Sequence, residues 1–362
     1  MGEVIRWPKL GKEPSRWIWG PAADLILICG VGSLAFALLG GIATVAWRPS
    51  ADLIVIGFLH FGVLCNYPHY AATYSLVVRE RHENPRAFRA LLLAAAVMAG
   101  VVVVGVFRPA IVLRPLTTLY LCWSAHHYAA QHFGVAAMYS HRRGAPLSGA
   151  AQRLARFAFL AVGVFLMLSL LDDGRSPQAV DDLRSVPLQV LTGVGYPLAL
   201  GVGTIAILAF VAGHFVARKE RGRGFDAMVW VLFGTNVAWF ILPRLRLPGT
   251  TVPWTGDLAV WLPYAIPFFH CTQYLAVCGW RERTRSEVRP VYWFMALVAV
   301  GLVLFEGIAR MLPHVSSLDE AGAFILVPAA LNVHHFWVDG RIWRRGDKKP
   351  STTSRAPSPL AA

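Results

Sequence analysis

The chain has 362 residues, of which 56% are hydrophobic and only 15% are charged, and its formal net charge is +14. This composition argues against a soluble protein, in which charged residues average about 25%. The positive charge does not indicate nucleic-acid binding, because no basic stripe interleaved with aromatic residues is present.

Ten apolar runs follow one another along the chain and predict an all-α, polytopic membrane bundle of about ten transmembrane helices. Each run is close to the length of about 20 residues that crosses a hydrocarbon core. Glycines and a proline interrupt the sixth run, which leaves its start open. The approximate limits are 21–46, 52–78, 87–107, 112–140, 154–171, 187–216, 226–243, 256–280, 290–312 and 321–340.

Basic residues alternate between the two sides of these runs. Most of the 34 lysines and arginines lie in the N-terminal segment, after the even-numbered runs, or in the C-terminal tail. The positive-inside rule therefore predicts that both termini are cytoplasmic, as in a multi-pass protein of a bacterial-type inner (plasma) membrane. We expect residues 1–20 to form a cytoplasmic interfacial segment, 21–343 a single transmembrane domain, and 344–362 a disordered basic cytoplasmic tail.

Histidines are concentrated in the even-numbered runs. Counted back from the basic residue that ends each run, those in the second, fourth, eighth and tenth runs fall near one level in the inner half of the membrane. A polar side chain at that depth is costly without a partner, and neutral imidazole is a common metal ligand. The sequence therefore predicts a metal site with these candidate ligands: His69, His126, His127, His132, His270, His334 and His335.

Rotation along each helix separates some of these candidates. His126, His127 and His132 cannot all point in one direction, and His127 and His132 are the favoured ligands of that run. His334 and His335 differ by about 100°, so one can bind metal while the other faces a neighbouring helix. The roles of His60 and His214 stay open.

Other polar groups lie three or four residues from several of these histidines and share their helix faces. We expect them to orient the histidines or to complete the metal shell. Hydrogen bonding between helices without a metal is the alternative. These residues are Asn66, Gln131, Gln273, Tyr274, Asn332 and Asp339. Glu306, a single carboxylate in the ninth run, is expected to pair with Arg310 one turn on.

Four segments carry a resemblance to a known class of enzymes: HFGVLCNYPHY (60–70), WSAHHYAAQHFG (123–134), FFHCTQY (268–274) and NVHHFWVDGRIW (332–343). Together they resemble, in type, the histidine-rich integral-membrane non-haem iron oxygenases, which include the bacterial Brp/Blh-type carotene dioxygenases. The HxxxH and HxxHH spacing of fatty-acid desaturases and hydroxylases is absent.

The resemblance implies an iron-dependent oxygenase that acts on a lipophilic substrate such as a carotenoid, another isoprenoid or an acyl chain. One or two non-haem irons would be held by His69, His127, His132, His270 and His335. The implied partners are the lipid bilayer and a lipophilic small molecule, and no nucleic acid. Copper in place of iron, a haem-binding redox protein and a proton-coupled transporter that uses the same histidines are the alternatives.

Overall fold

The computed structural model describes residues 16–47, 51–82, 85–172, 194–246, 258–284 and 289–342. Their regular structure is helical, which confirms the all-α class. The helices are α1 (Pro21–Ala23), α2 (Val31–Trp47), α3 (Ala51–Arg79), α4 (Pro85–Phe107), α5 (Pro109–Arg142), α6 (Gly149–Asp172), α7 (Gly195–Arg221), α8 (Ala227–Phe240), α9 (Leu258–Arg283), α10 (Pro290–Leu302), α11 (Ile308–Val315) and α12 (Glu320–Ile342). There are also two π-helical segments. Asp24–Ile28 continues α1, and Val303–Gly307 joins α10 to α11.

Six segments in the described part of the chain are long and apolar enough to cross a membrane: Phe88–Phe107, Gly149–Ser169, Gly195–Arg221, Ala227–Arg244, Pro290–Val315 and Glu320–Arg341. The bent pair Pro21–Ile28 and Val31–Gly40 makes a seventh if it forms one span. These long apolar helices indicate a multi-pass membrane protein.

The number of spans found in this way is smaller than the predicted ten, although a helix occupies each predicted run. The difference arises at α3, α5 and α9, which are not among the six. Histidine, tyrosine and amide side chains lower the hydropathy of α5 and α9, and side chains of much of the first half of α3 lie outside the described residues. Residues 1–15 and the predicted tail, 344–362, also lie outside the described residues.

The helices that carry most of the candidate ligands lie at the centre of the bundle. Helix α3 packs against α9, α10 and α12, and α5 packs against α6, α8 and α12. Helices α4, α7 and α10 lie farther out and expose large apolar side chains such as Leu93, Leu208 and Val291. An apolar outer surface around a polar centre is the arrangement that a bilayer requires.

A sharp break divides the first apolar run at Gly30, and the two halves are bent by 60°. Gly30 has a φ of +85°, a left-handed conformation that favours glycine. The break frees backbone carbonyls, which side chains from other helices satisfy. Gln273 Nε2 donates to the carbonyl of Ile28, and Thr235 Oγ1 donates to the carbonyl of Cys29 at 3.1 Å. The break is thus connected to α9, one turn from His270.

Two reciprocal ion pairs join the ends of α3 and α9. Arg79 of α3 pairs with Glu282 of α9, and Arg281 of α9 pairs with Glu80, the residue that follows α3. Crossed pairs of this kind fix the two helices in register, so His69 and His270 lie at the same level.

Candidate metal centre

Four buried imidazoles, one from each of four helices, meet at the centre of the bundle. They are His69 of α3, His127 of α5, His270 of α9 and His335 of α12, and we call them the histidine cluster. Ring centroids are separated by 4.4 Å for His69–His335, 5.1 Å for His335–His127, 4.8 Å for His127–His270 and 5.0 Å for His270–His69. The rings therefore contact one another in a closed circuit.

The ligand atoms in the cluster form two overlapping sets. In the first set, one ring nitrogen from each of His69, His127 and His270 lies within 4.8 Å of the other two. In the second set, one ring nitrogen from each of His127 and His335 and one carboxylate oxygen of Asp339 lie within the same distance of one another. One ion with metal–nitrogen bonds of about 2.1 Å separates opposite ligands by about 4.2 Å. Each set is therefore close to the size of a single coordination sphere.

The shortest contact in the cluster has the geometry of two neighbouring ligands. His127 Nε2 and His270 Nε2 are 3.2 Å apart. Two nitrogens at that separation subtend an angle of about 100° at an ion with bonds of about 2.1 Å. That angle lies between the octahedral and tetrahedral values, so both rings can bind one ion without large movement.

Several ring nitrogens of the cluster lack any hydrogen-bond partner among the described residues. Both nitrogens of His335, which is 0% exposed, and Nδ1 of His69 are in this position. A buried polar group without a partner costs about 1–3 kcal/mol. A metal ion would bind the one lone-pair nitrogen of each neutral ring, so the unpartnered nitrogens are consistent with a bound ion.

A hydrogen-bonded chain holds the one carboxylate of these sets. Tyr274 OH donates to Asp339 Oδ1 at 2.8 Å, and the Thr73 hydroxyl lies 2.7 Å from the same phenol oxygen. Because the single phenol proton goes to Asp339, Thr73 is the donor to Tyr274. The Tyr274 ring also lies against His69, with centroids 4.3 Å apart. Tyr274 thus orients both a carboxylate and an imidazole of the candidate site.

The two predicted glutamines, Gln131 and Gln273, hydrogen-bond to backbone carbonyls near the site and to each other, and not to imidazole nitrogens. Gln131 Nε2 donates to the carbonyl of His270 at 3.0 Å and to Gln273 Oε1 at 2.7 Å. Gln273 in turn donates to the carbonyl of Ile28 at the break in the first run. This amide pair ties α5, α9 and the broken helix together behind His270.

The predicted asparagines also bind groups other than imidazole. Asn332 Oδ1 accepts from Tyr70 OH, and Asn332 Nδ2 donates to the carbonyl of Pro328 at 2.7 Å. Asn66 Oδ1 accepts from Cys271 Sγ at 3.2 Å. Both residues therefore join α3 to its neighbours next to the cluster without contacting a predicted ligand nitrogen.

The structure does not bring His334 or His126 into the cluster. His334 Nε2 lies 3.3 Å from the carbonyl of Leu91 and Nδ1 lies 2.9 Å from Tyr74 OH. Nε2 must donate to the carbonyl, so Nδ1 accepts from the phenol and both nitrogens are satisfied. His126 is exposed on α5, because it lies about 100° around the helix from His127.

His132, a favoured ligand in the sequence analysis, belongs to neither ligand set. It is five residues from His127, a rotation of about 140°, and it faces α8. His132 Nδ1 lies 3.0 Å from Asn236 Oδ1, and Asn236 Nδ2 donates to the carbonyl of Phe159 at 3.2 Å. That second bond fixes the amide, so His132 Nδ1 is the donor.

The two remaining histidines have other positions. His214 Nδ1 accepts from the backbone N–H of Phe225 at 3.1 Å and from Trp230 Nε1 at 3.2 Å, a loop-bracing role. The side chain of His60 lies outside the described residues. Glu306 pairs with Arg310 as expected, and it also accepts from Tyr67 OH at 2.8 Å.

Sequence reasoning missed two features that position the site. Thr73 was detectable, because it lies four residues after His69 on the same helix face. The second feature is the pair of aromatic rings that lie against the cluster, which residue spacing along one helix does not identify. In the structure Phe336 stacks on His127 with centroids 4.5 Å apart, and Tyr128 lies 4.4 Å from His270.

Comparison with known proteins gives no match, since no family model, curated protein or solved structure is significantly similar to this chain. The case for a function therefore depends on the chemistry of the histidine cluster and Asp339.

Proposed function

We propose that this chain is a membrane-embedded non-haem iron oxygenase that acts on a lipophilic substrate, such as a carotenoid, another isoprenoid or an acyl chain. The observation that carries the proposal is the set His127, His335 and Asp339, whose ligand atoms lie within 4.8 Å of one another and are buried. Two histidines and one carboxylate with open positions are typical of iron(II) sites that activate dioxygen. The surrounding apolar helices suit a substrate that reaches the site from the bilayer.

Charge favours one ion over two. Asp339 is the single carboxylate in the two ligand sets of the described residues. One divalent ion with Asp339 leaves a net charge of +1, whereas a second ion would add two buried positive charges without a counter-ion. We therefore assign the ion to His127, His335 and Asp339, with His69 and His270 as adjacent imidazoles that can complete its shell.

The packing of the rings favours a small ion over haem. Two axial histidines bind haem from opposite faces of a wide planar macrocycle. Here His127 Nε2 and His270 Nε2 are 3.2 Å apart, and Phe336 and Tyr128 cover the outer faces of these two rings. A macrocycle would have to displace these contacts, whereas a single ion fits between the nitrogens.

The protein's own groups have separable roles in this proposal. When bound, iron supplies the binding of dioxygen and its one-electron chemistry. Tyr274 and Thr73 hold Asp339 in a fixed orientation by their hydrogen bonds. Phe336 and Tyr128 lie against the imidazoles and exclude water from them, which would limit side reactions at the site.

We also propose that α3, α5 and α9 cross the membrane together with the six apolar segments and the bent first pair. This gives about ten spans with both termini cytoplasmic, in a bacterial-type inner membrane. The C-terminal turns of α3, α5, α7, α9 and α12 support the proposal, because each contains a basic residue: Arg79, Arg142, Arg221, Arg283 and Arg341. That common polarity is the pattern of the positive-inside rule.

Metal analysis of matched variants tests the oxygenase proposal. Purified protein reconstituted with iron(II) under anaerobic conditions should retain about one iron per chain. Asp339→Asn should lose most of that iron, while His334→Gln should retain it, because His334 is satisfied by Tyr74 and Leu91. Dioxygen consumption that depends on iron and on an added isoprenoid or acyl lipid would complete the assignment. Wild-type protein that retains no transition metal would contradict it.

A further inference from the structure

A group of tryptophans and arginines covers the basic end of the bundle where residues 16–20 pass over the ends of α5 and α9. It consists of Trp17, Trp19, Arg142, Trp280 and Arg283, and we call it the arginine–tryptophan patch. Trp19 Nε1 donates to the carbonyl of Ala276 at 3.0 Å, which fixes that indole against α9. Arg142 donates to the carbonyl of Trp17 at 3.1 Å, which fixes the segment against α5.

Two guanidinium groups of the patch lie over indole rings. The Arg142 guanidinium carbon is 5.0 Å from the centroid of the Trp280 ring, and that of Arg283 is 5.6 Å from the Trp19 ring. Both separations are within the range of cation–π attraction, about 6 Å. A guanidinium held by its face keeps its N–H donors at the edge, where they can meet a planar or tetrahedral anion.

These two arginines differ from the basic residues around them. Arg79, Arg281 and Arg143 form ion pairs with Glu282, Glu80 and Asp226. Arg142 and Arg283 form no ion pair within the described residues, and Nε of Arg142 has no hydrogen-bond acceptor there.

The carboxylate of Asp24 is fully buried and acts electrostatically on Arg142. It accepts hydrogen bonds from the backbone N–H groups of Ile18 and Trp19 and from Tyr139 OH. The Asp24 carboxylate therefore offsets the charge of Arg142, and the patch keeps a net positive charge at the exposed Arg283.

We propose that the arginine–tryptophan patch binds the phosphate of an anionic phospholipid from the leaflet that borders the basic ends of the helices. Indole rings prefer the headgroup level of a bilayer, which places both guanidinium groups at the height of lipid phosphates. Arginine matches the geometry of phosphate through two parallel N–H donors. Basic pockets between transmembrane helices are a recurrent form of anionic lipid site. The proposal does not depend on the metal centre.

Lipid binding to the full chain tests this assignment. Phosphatidylglycerol titrated into protein held in neutral detergent should bind, and native mass spectrometry or thermal unfolding should detect it. Arg283→Gln should weaken binding about fivefold, and the double variant Arg142→Gln, Arg283→Gln more than tenfold, because each arginine near an anionic headgroup contributes about that factor. Phosphatidylcholine should show no dependence on these substitutions.

Arg310→Gln is the matched control, because Arg310 is also exposed and stacked on a ring, that of Phe324, but is paired with Glu306. Its affinity for phosphatidylglycerol should equal that of the wild type. The single variant Arg283→Gln keeps the test valid if the double variant misfolds. Arg283 is exposed, so its substitution should not disturb the fold. Equal weakening by Arg310→Gln, or unchanged binding in both patch variants, would overturn the proposal. Inorganic phosphate that protects the protein as well as the lipid does would show that a soluble anion is the ligand.

Discussion

Replacing His335 with leucine should stabilise the metal-free protein and abolish iron binding. Both ring nitrogens of His335 are buried without a partner among the described residues. Removing them relieves an unfavourable free energy of about 1–3 kcal/mol for each group. The lost edge-to-face contacts with the rings of His69 and His127 each offset about 0.5–1.5 kcal/mol of that gain. We expect a net increase of about 2 kcal/mol in the free energy of unfolding.

The neighbouring histidine provides the opposite control. His334→Leu removes the hydrogen bonds to Tyr74 OH and to the carbonyl of Leu91 and leaves the Tyr74 hydroxyl without its acceptor. This change should cost about 1–3 kcal/mol of stability and leave iron binding intact. These two substitutions at adjacent positions of α12 therefore have opposite expected effects. His335→Leu stabilises the metal-free protein and abolishes iron binding, whereas His334→Leu destabilises the protein and leaves iron binding intact.

The assay is denaturant unfolding in detergent, carried out on chelator-treated protein and again after iron(II) is added. Wild-type protein and His334→Leu should gain stability with iron, in proportion to the logarithm of its concentration. His335→Leu should gain none. His335 would be excluded as a ligand if His335→Leu destabilised the metal-free protein as strongly as His334→Leu does, or if iron still stabilised the variant.

Three further substitutions test the surroundings of the cluster. Tyr274→Phe removes the donor to Asp339 and should weaken iron affinity about 10–100-fold in a competitive chelator titration; unchanged affinity would exclude the orienting role. His132→Gln should leave iron content unchanged by metal analysis, because His132 faces Asn236 and belongs to neither ligand set, and loss of iron would restore it as a ligand. Gly301→Val should lower the midpoint of thermal unfolding by several degrees, since an added Cβ would come within 2.6–2.8 Å of Tyr67; an unchanged midpoint would show that α10 and α3 can separate freely.

The positions of the helices could be predicted from the sequence, because apolar runs bounded by basic residues leave few alternatives in a membrane protein. The common level of His69, His270 and His335 followed from counting back to the basic residue that ends each run. Neither inference needed knowledge of how the helices pack, since length and depth are properties of single helices.

The rotation of each helix could not be predicted in this way. His127 and His132 lie on one helix, and His334 and His335 are adjacent, yet only one of each pair faces the cluster. The direction of each side chain depends on which neighbouring helix supplies a partner, such as Asn236 for His132 and Tyr74 for His334. Those partners are distant in sequence, and residue spacing along a single helix does not identify them.

The break at Gly30 also depends on distant residues. A glycine inside an apolar run is compatible with a continuous helix, and the run 21–46 was predicted as one span. Freed carbonyls are tolerated at this position because Gln273 and Thr235 donate to them from other helices. Both donors lie far outside the run 21–46 in sequence, so the run alone does not predict the break.

X-ray absorption at the iron edge, on purified protein reconstituted with iron(II), tests the metal centre most directly. We expect about one iron per chain with nitrogen and oxygen ligands at about 2.1 Å, a clear contribution from at least two imidazoles, and loss of the bound iron in Asp339→Asn. Protein that holds no iron, or iron bound through sulfur at about 2.3 Å, would contradict this expectation.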